Sequence, residues 1–328
     1  MNHVHALKPD REFATIVAGL GEMGAILPGL PVGDVAGRRE RYDLRFQKSL
    51  SMTPPTADVV QHSHKIRSKD GKFIALVEFR PKGAPIQASP TIYHVHGGGM
   101  ILGSVASFTS AIVARARSYN LPIFSIEYRL APENPHPVPV NDCYAGLEWL
   151  YKNASGLGVD CKRIMVLGES AGGGLAAGVT LMARDKGLSP PVAYQMLIYP
   201  MLDDRNLQPQ PSIEAHTKWR SDDNKTGWSA LLGEAAGQDC EVAGHQYAAP
   251  ARAQDLSGLP PTYIDVGHLD FFAHEDVEYA ARLLAAGVPV ELHVYPGLPH
   301  DFEAIGSGAR IVESALENRL RVVEEFTL

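Results

Sequence analysis

The chain has 328 residues and a formal net charge of −7, with 45% hydrophobic and 20% charged residues. That is enough chain for one large α/β domain or two smaller ones with a full core. The acidic balance argues against a nucleic-acid partner, which would call for a basic patch. Three widely separated cysteines, Cys143, Cys161 and Cys240, fit neither a disulfide framework nor a zinc site, so a reducing, cytoplasmic compartment is expected. The N-terminus "MNHVHALKPDRE" lacks the apolar core of a secretory leader, and no apolar run approaches the ~20 residues of a membrane span.

In chain order, residues 11–30 carry Phe13, Ile16, Val17, Leu20, Met23 and Leu27 at roughly helical spacing. This predicts an amphipathic helix weakened by Gly19, Gly21 and Gly24. The basic stretch "GRRERYDLRFQKS" reads as a solvated helix face. After "PPTADVV" short β-rich runs begin: "FIALVEF", "TIYHV", "LPIFSIEY", "RIMVL", "VAYQMLI", "TYIDV" and "VELHVY". Most are separated by segments of helical spacing, such as "SFTSAIVARARSY", "VNDCYAGLEWLYKNA", "EDVEYAARLLAAG" and "ARIVESALENRLRVVEEF". Near-continuously apolar strands alternating with helices predict an α/β fold, a mostly parallel central sheet with helices on both faces. The alternation fails between Pro200 and about Pro260, a polar stretch holding Trp219 and Trp228. An insertion of that length reads as a lid or cap. The expected division is N-terminal cap helices over 1–55, a catalytic core over 56–200 and 246–328, and a cap insertion over 201–245.

The stretch "IMVLGESAGGG" raises the question of chemistry. A phosphate-binding loop needs Lys and Ser or Thr where Gly174 and Leu175 stand, and a dinucleotide fingerprint needs glycine where Ser170 stands. The pattern that fits is G-x-S-x-G, from Gly168 to Gly172, after an apolar strand and before the helical "GGLAAGVTLMARD". On such a sharp turn the flanking residues must be small and the serine is exposed to react. The alternative is a helix N-cap serine. A second cluster, His96, Gly97, Gly98 and Gly99, ends an early strand, where glycines let backbone N–H groups approach an oxyanion. His300 lies in the loop after the last strand and Asp270 just past the strand before it. Ser170, Asp270 and His300 run in the chain order of α/β-hydrolases, each beyond the carboxyl end of a predicted strand. Asp265 lies within its strand and is expected to point into the sheet layers. Asp301 adjoins His300 and cannot easily reach across its ring. His268 reads as a loop histidine, and Glu169 as a neighbour that tunes the site. His94 and His96 share one strand face, His94 as a packed histidine and His96 as structural support of the glycine loop.

These residues resemble the hormone-sensitive-lipase-like family of α/β-hydrolases, the alpha/beta hydrolase fold-3 esterases, over about Tyr93 to Phe302. The resemblance rests on "HGGGM", "EYRLAPENPHPVPVNDC", "GESAGG", "YPMLDDR", "LSGLPPTYIDVG" and "YPGLPH". It implies an α/β-hydrolase fold with a helical cap built from the N-terminal region and the insertion. It implies a triad at Ser170, Asp270 and His300, and an oxyanion hole from the N–H groups of Gly98, Gly99 and Ala171. The implied activity is hydrolysis of short- to medium-chain acyl esters without cofactor or metal, on small-molecule substrates. Relatives often dimerise through a sheet edge, so a homodimer is the assembly implied. The chain departs from the family's "LRDE" after the triad acid, reading Phe272, Ala273, His274 and Glu275, and from glycine after the triad histidine, reading Asp301. Asp301 bears on pH profile and leaving-group preference. A specialised lactonase, deacetylase or acyltransferase is the alternative within enzymes. A non-catalytic receptor on the same fold is the alternative outside them, and the presence of His300 counts against it.

Overall fold

The computed structural model describes residues 7–21, 24–50, 58–84, 88–240 and 242–328. The seven apolar runs form strands β2 (Phe73–Pro81), β3 (Ser89–Val95), β4 (Ile123–Glu127), β5 (Val159–Glu169), β6 (Tyr194–Ile198), β7 (Thr262–Leu269) and β8 (Val290–Pro299), joined by β1 (Val59–Arg67). They make one eight-stranded sheet in the order β1-β2-β4-β3-β5-β6-β7-β8. β1–β2 and β2–β4 pair antiparallel, and every other pair is parallel. Spacing alone does not reveal β1. It is an edge strand, "VVQHSHKIR", with Val60, Gln61, His62 and Ser63 exposed in succession, so no period-2 burial marks it.

Helices cover both faces, which is why β3 is buried at every position. On one face lie α4 (Val138–Asn153), α5 (Ala171–Asp185) and α8 (Ala273–Ala285). On the other lie α3 (Val105–Tyr119) and α10 (Arg310–Thr327), joined by Phe13 of the N-terminal helix α1 (Arg11–Gly19). In α5 every residue from Ala171 to Ala183 is buried, so the helix that follows Ser170 is fixed on all sides.

α1 is shorter than its apolar spacing predicts. It ends at Gly19, Leu20 and Leu27 are exposed, and Met23 lies outside the described residues. Two glycines within three positions make continuation of the helix costly. Asp10 caps α1 by accepting from the N–H groups of Glu12 and Phe13 at 3.0 and 2.9 Å. The Asp10 N–H is in turn tied to the Gly297 carbonyl.

The basic stretch is not a solvated face. In α2 (Val35–Leu50) Arg38 is buried, donating to the carbonyls of Leu30, Pro31 and Asp34 and pairing with Asp223 at 2.8 Å. Arg39 donates to the carbonyls of Ile101 and Ala131 and pairs with Glu133. Five guanidinium donors can satisfy carbonyls that an apolar contact would leave bare, so charge here docks the helix instead of solvating it.

Between β6 and β7 the chain leaves the sheet. The excursion contains α6 (Ser221–Leu232) and the single turn α7 (His245–Ala248). α6 meets the N-terminal region through Asp223 on Arg38 and through Thr226, which accepts from the Gly33 N–H at 3.0 Å. Glu275 of α8 anchors the start of the excursion. Its carboxylate accepts from the N–H groups of Leu202 and Asp203 and from the Asn206 amide. A further single turn, α9 (Glu303–Gly306), follows β8. Among the described residues no helix is long and apolar enough to cross a membrane.

Candidate active site

Ser170 sits between the end of β5 and the start of α5 with φ 55° and ψ −124°, a backbone conformation that costs a non-glycine residue of order 1–3 kcal/mol. Two glycines make this turn buildable. A Cβ on Gly168 would overlap the Gly172 carbonyl, and one on Gly172 would overlap the Val95 carbonyl. The turn is pinned by the Ser170 N–H donating to the Ile198 carbonyl and by the Met201 N–H donating to the Ser170 carbonyl, both at 2.9 Å.

The structure brings Ser170, His300 and Asp270 together from the ends of three strands. His300 Nε2 lies 3.0 Å from Ser170 Oγ, and His300 Nδ1 lies 2.7 Å from Asp270 Oδ2. The other Asp270 oxygen accepts from the Phe272 N–H at 3.0 Å, which fixes the carboxylate plane. The imidazole is held edge-on by Tyr199 and Phe272, with ring centroids at 4.7 and 5.2 Å. Burial pushes His300 toward the neutral form, but the carboxylates of Asp270, Asp301 and Glu303 outweigh it and hold its pKa above the ordinary imidazole value.

The glycine loop abuts the nucleophile turn. A Cβ on Gly97 would stand 2.9 Å from the Glu169 carbonyl oxygen and 3.3 Å from Ser170 Cβ. Gly98 and Gly99 have φ of 122° and 59°. A side chain on Gly98 would collide with the Leu102 carbonyl, and one on Gly99 with the Trp219 ring. No acceptor within the described residues takes the N–H groups of Gly98, Gly99 or Ala171. Ala171 is the first residue of α5, where a helix leaves its N–H groups unpaired. His96 donates from Nδ1 to the Gly97 carbonyl at 2.9 Å and stacks on Tyr128, whose hydroxyl donates to the His96 carbonyl. Burial lowers the His96 pKa to about 4, so the ring stays neutral. His94 is fully partnered, by Ser125 through Nδ1 and by Glu169 through Nε2, each at 2.8 Å.

The competing carboxylates do not take the place of Asp270 at His300 Nδ1. Asp265 points into the helix layer, where Arg319 of α10 grips both its oxygens at 2.6 and 3.0 Å. His268 is exposed. Asp301 follows His300 with φ 56°. Burial pushes its carboxyl up to about 6, against the pull of Lys218. Ionising this group therefore costs the folded state. The cost is absent below the ordinary aspartate range, grows as pH rises from there to about 6, and is full above it. Asp301→Gly is expected to raise stability more at pH 8 than at pH 4, where only the ~1 kcal/mol from relief of the left-handed backbone remains. Urea unfolding at the two pH values measures this, and an equal gain at both would contradict it.

Several residues at the site carry no signal in sequence spacing. Trp219 comes from the polar insertion and lies against Gly99, with its Nε1 donating to Asn224. Tyr199, Glu303 and Arg115 approach the site from three separate elements. A tryptophan in an otherwise polar insertion is the one visible hint among them.

A reactive-type serine turn between a strand and a helix of a mostly parallel sheet, with a histidine and a carboxylate in line behind it, is the architecture of an α/β-hydrolase. Residues 92–304 match a family profile described as alpha/beta hydrolase fold. Esterase LipI of Mycobacterium tuberculosis is 35% identical over 227 residues, 68% of this chain and 68% of that protein. Ethyl acetate hydrolase of Pseudomonas putida is 29% identical over 97% of this chain and 98% of that one. The solved structure of a bacterial heroin esterase superposes with a TM-score of 0.87 at 36% identity, covering 98% of each chain. The chain belongs to the hormone-sensitive-lipase-like family of α/β-hydrolases, and it is an esterase.

Proposed function

We propose that this esterase hydrolyses small carboxylic esters of short to medium acyl chain, with Ser170 as nucleophile, His300 as general base and acid, and Asp270 as orienting carboxylate. The observation that carries the reading is the continuous line from Ser170 Oγ through His300 to Asp270, at 3.0 and 2.7 Å, on a strained turn. Ser170 Oγ attacks the ester carbonyl while its proton passes to His300 Nε2. The tetrahedral oxyanion accepts hydrogen bonds from the N–H groups of Gly98, Gly99 and Ala171, each worth ~3 kcal/mol in the transition state. As the intermediate collapses, His300 returns the proton to the leaving alkoxide. Water then attacks the acyl-enzyme with His300 again as base, releasing the acid and restoring Ser170.

The contacts of Arg38 and Gly33 with α6 support a cap formed by α2 and the insertion. Trp219 beside Gly99 takes up space next to the glycine loop, which favours small acyl groups. The ethyl acetate and heroin esterases, similar over nearly the whole chain, accord with that size.

The test is kcat/KM on p-nitrophenyl esters of increasing acyl length, each measured across pH. The value is expected to peak at short to medium chains. It should rise with pH to a plateau, with a midpoint above the ordinary imidazole pKa, because only neutral His300 accepts the serine proton. A maximum at long-chain esters, or a rate that falls as His300 loses its proton, would overturn the reading.

A further inference from the structure

Glu169, the residue before the nucleophile, has no part in the acyl-transfer steps above, yet it is 3% exposed and ionised. It lies between His94 and Arg115 of α3, which contacts its Oε1 directly. Arg115 reaches on toward Glu303, with Nη2 at 3.9 Å from Oε1. Glu303 stands three residues after His300. Its Oε1 accepts from the Tyr199 hydroxyl at 2.9 Å and from Arg319 Nη1 at 2.7 Å. Arg319 ends the line on Asp265. Tyr199 is itself held at φ 36°, with its N–H on the Asp265 carbonyl at 2.7 Å, and its ring packs edge-on against His300.

Glu169, Glu303 and Asp265 thus alternate with Arg115 and Arg319 in one line, with Glu169, Asp265 and Arg319 buried; Glu169 adjoins the nucleophile, and Glu303 stands near the base. Such a line is poor economy for stability alone. Taking ions out of water is costly, and well-packed apolar residues commonly do as well or better. Among the described residues Glu303 Oε2 is even left buried without a hydrogen-bond partner. We propose that Arg115, Glu303 and Tyr199 are positioning residues: a brace that locks the base loop to the nucleophile turn and seats His300 over Ser170. The claim rests on the Ser170–His300 reading above. Its physical content is twofold. The Tyr199 hydroxyl, fixed by Glu303, sets the ring that bounds His300. The whole line from Glu169 to Asp265 also carries one more negative than positive charge, with Glu303 close to the imidazolium that forms in the transition state. The other charged and titratable groups facing His300 are Asp270 beyond β7 and Asp301 on its own loop. Lys218 and Arg45 stand beyond Asp301.

The experiment uses Tyr199→Phe, Glu303→Gln and Arg115→Lys in the full chain. Active sites are counted by fluorophosphonate labelling, and kcat is expressed per labelled site on p-nitrophenyl butyrate across pH. Glu303→Gln is expected to lower kcat about 10- to 100-fold with KM within twofold, the scale of a small misplacement of reacting groups. It should also move the acid limb of kcat/KM to lower pH, since a negative charge that favours the imidazolium is gone. Tyr199→Phe removes one hydroxyl and should lower kcat several-fold without moving the limb. It serves as the decisive variant where Glu303→Gln does not fold. Glu303→Gln combined with Arg115→Lys should cost less than the product of the single effects. Labelled, folded variants with wild-type kcat and an unmoved limb would overturn the brace. Failure of wild-type Ser170 to label would instead overturn the mechanism on which it rests.

Discussion

Ser170→Ala is expected to abolish ester turnover, lowering kcat by about 10⁵- to 10⁶-fold, while the protein stays folded. Removing Oγ takes away the atom that attacks, and His300 then has no proton to receive. What remains is the polarising effect of the glycine loop and substrate binding, which in triad enzymes leaves ~10³-fold over water. Stability is not expected to rise, because alanine is as strained as serine at φ 55°. Ser170→Gly, equally dead, should be more stable by ~1 kcal/mol for the same reason. Burst kinetics on p-nitrophenyl butyrate and the intact mass after fluorophosphonate treatment give the readout. Wild-type turnover by either variant would refute the assignment of the nucleophile.

Asp270→Asn comes next in size, with an expected loss of about 10⁴-fold in kcat and little change in KM. Asn Oδ1 can still accept the Phe272 N–H that Asp270 Oδ1 accepts at 3.0 Å, so the side chain keeps its place. The amide then offers His300 Nδ1 a donor where the carboxylate offered an acceptor at 2.7 Å. Nδ1 must become the acceptor, the proton shifts to Nε2, and Nε2 can no longer take the Ser170 proton. The imidazolium also loses its counter-charge. A loss that appeared in KM instead of kcat would show that Asp270 serves substrate binding, not the base.

The apolar runs were enough to place seven strands, because a sheet covered on both faces writes itself as continuous hydrophobicity. β1 escaped because an edge strand with solvent on its flank has no such stretch to show. Ser170, Asp270 and His300 were legible because topology sends every strand end to one edge of the sheet. Gly168 and Gly172 were legible because their crowding is local. The basic stretch is illegible in the sequence because charge alone does not separate a solvated face from a docked one, and Arg38 and Arg39 spend their donors on backbone carbonyls. Arg115, Glu303 and Arg319 were out of reach for another reason. Each ion pair joins residues far apart in sequence, and a lone arginine on a helix looks the same whether its partner is water or a buried carboxylate.

The docking of α2 through Arg39 has a bearing on when the enzyme becomes competent. The carbonyls it grips, at Ile101 and Ala131, belong to the segment that carries Gly98 and Gly99 and to the turn packed behind it. These contacts span 62 and 92 residues of chain, so they close late relative to local helices and hairpins. A molecule that has formed its local helices, but not yet seated α2, is expected to give most of the helical signal and to be silent towards esters. Acquisition of activity during refolding should therefore lag the recovery of helical signal, and the interval between them times the arrival of a segment that never touches the reacting atoms.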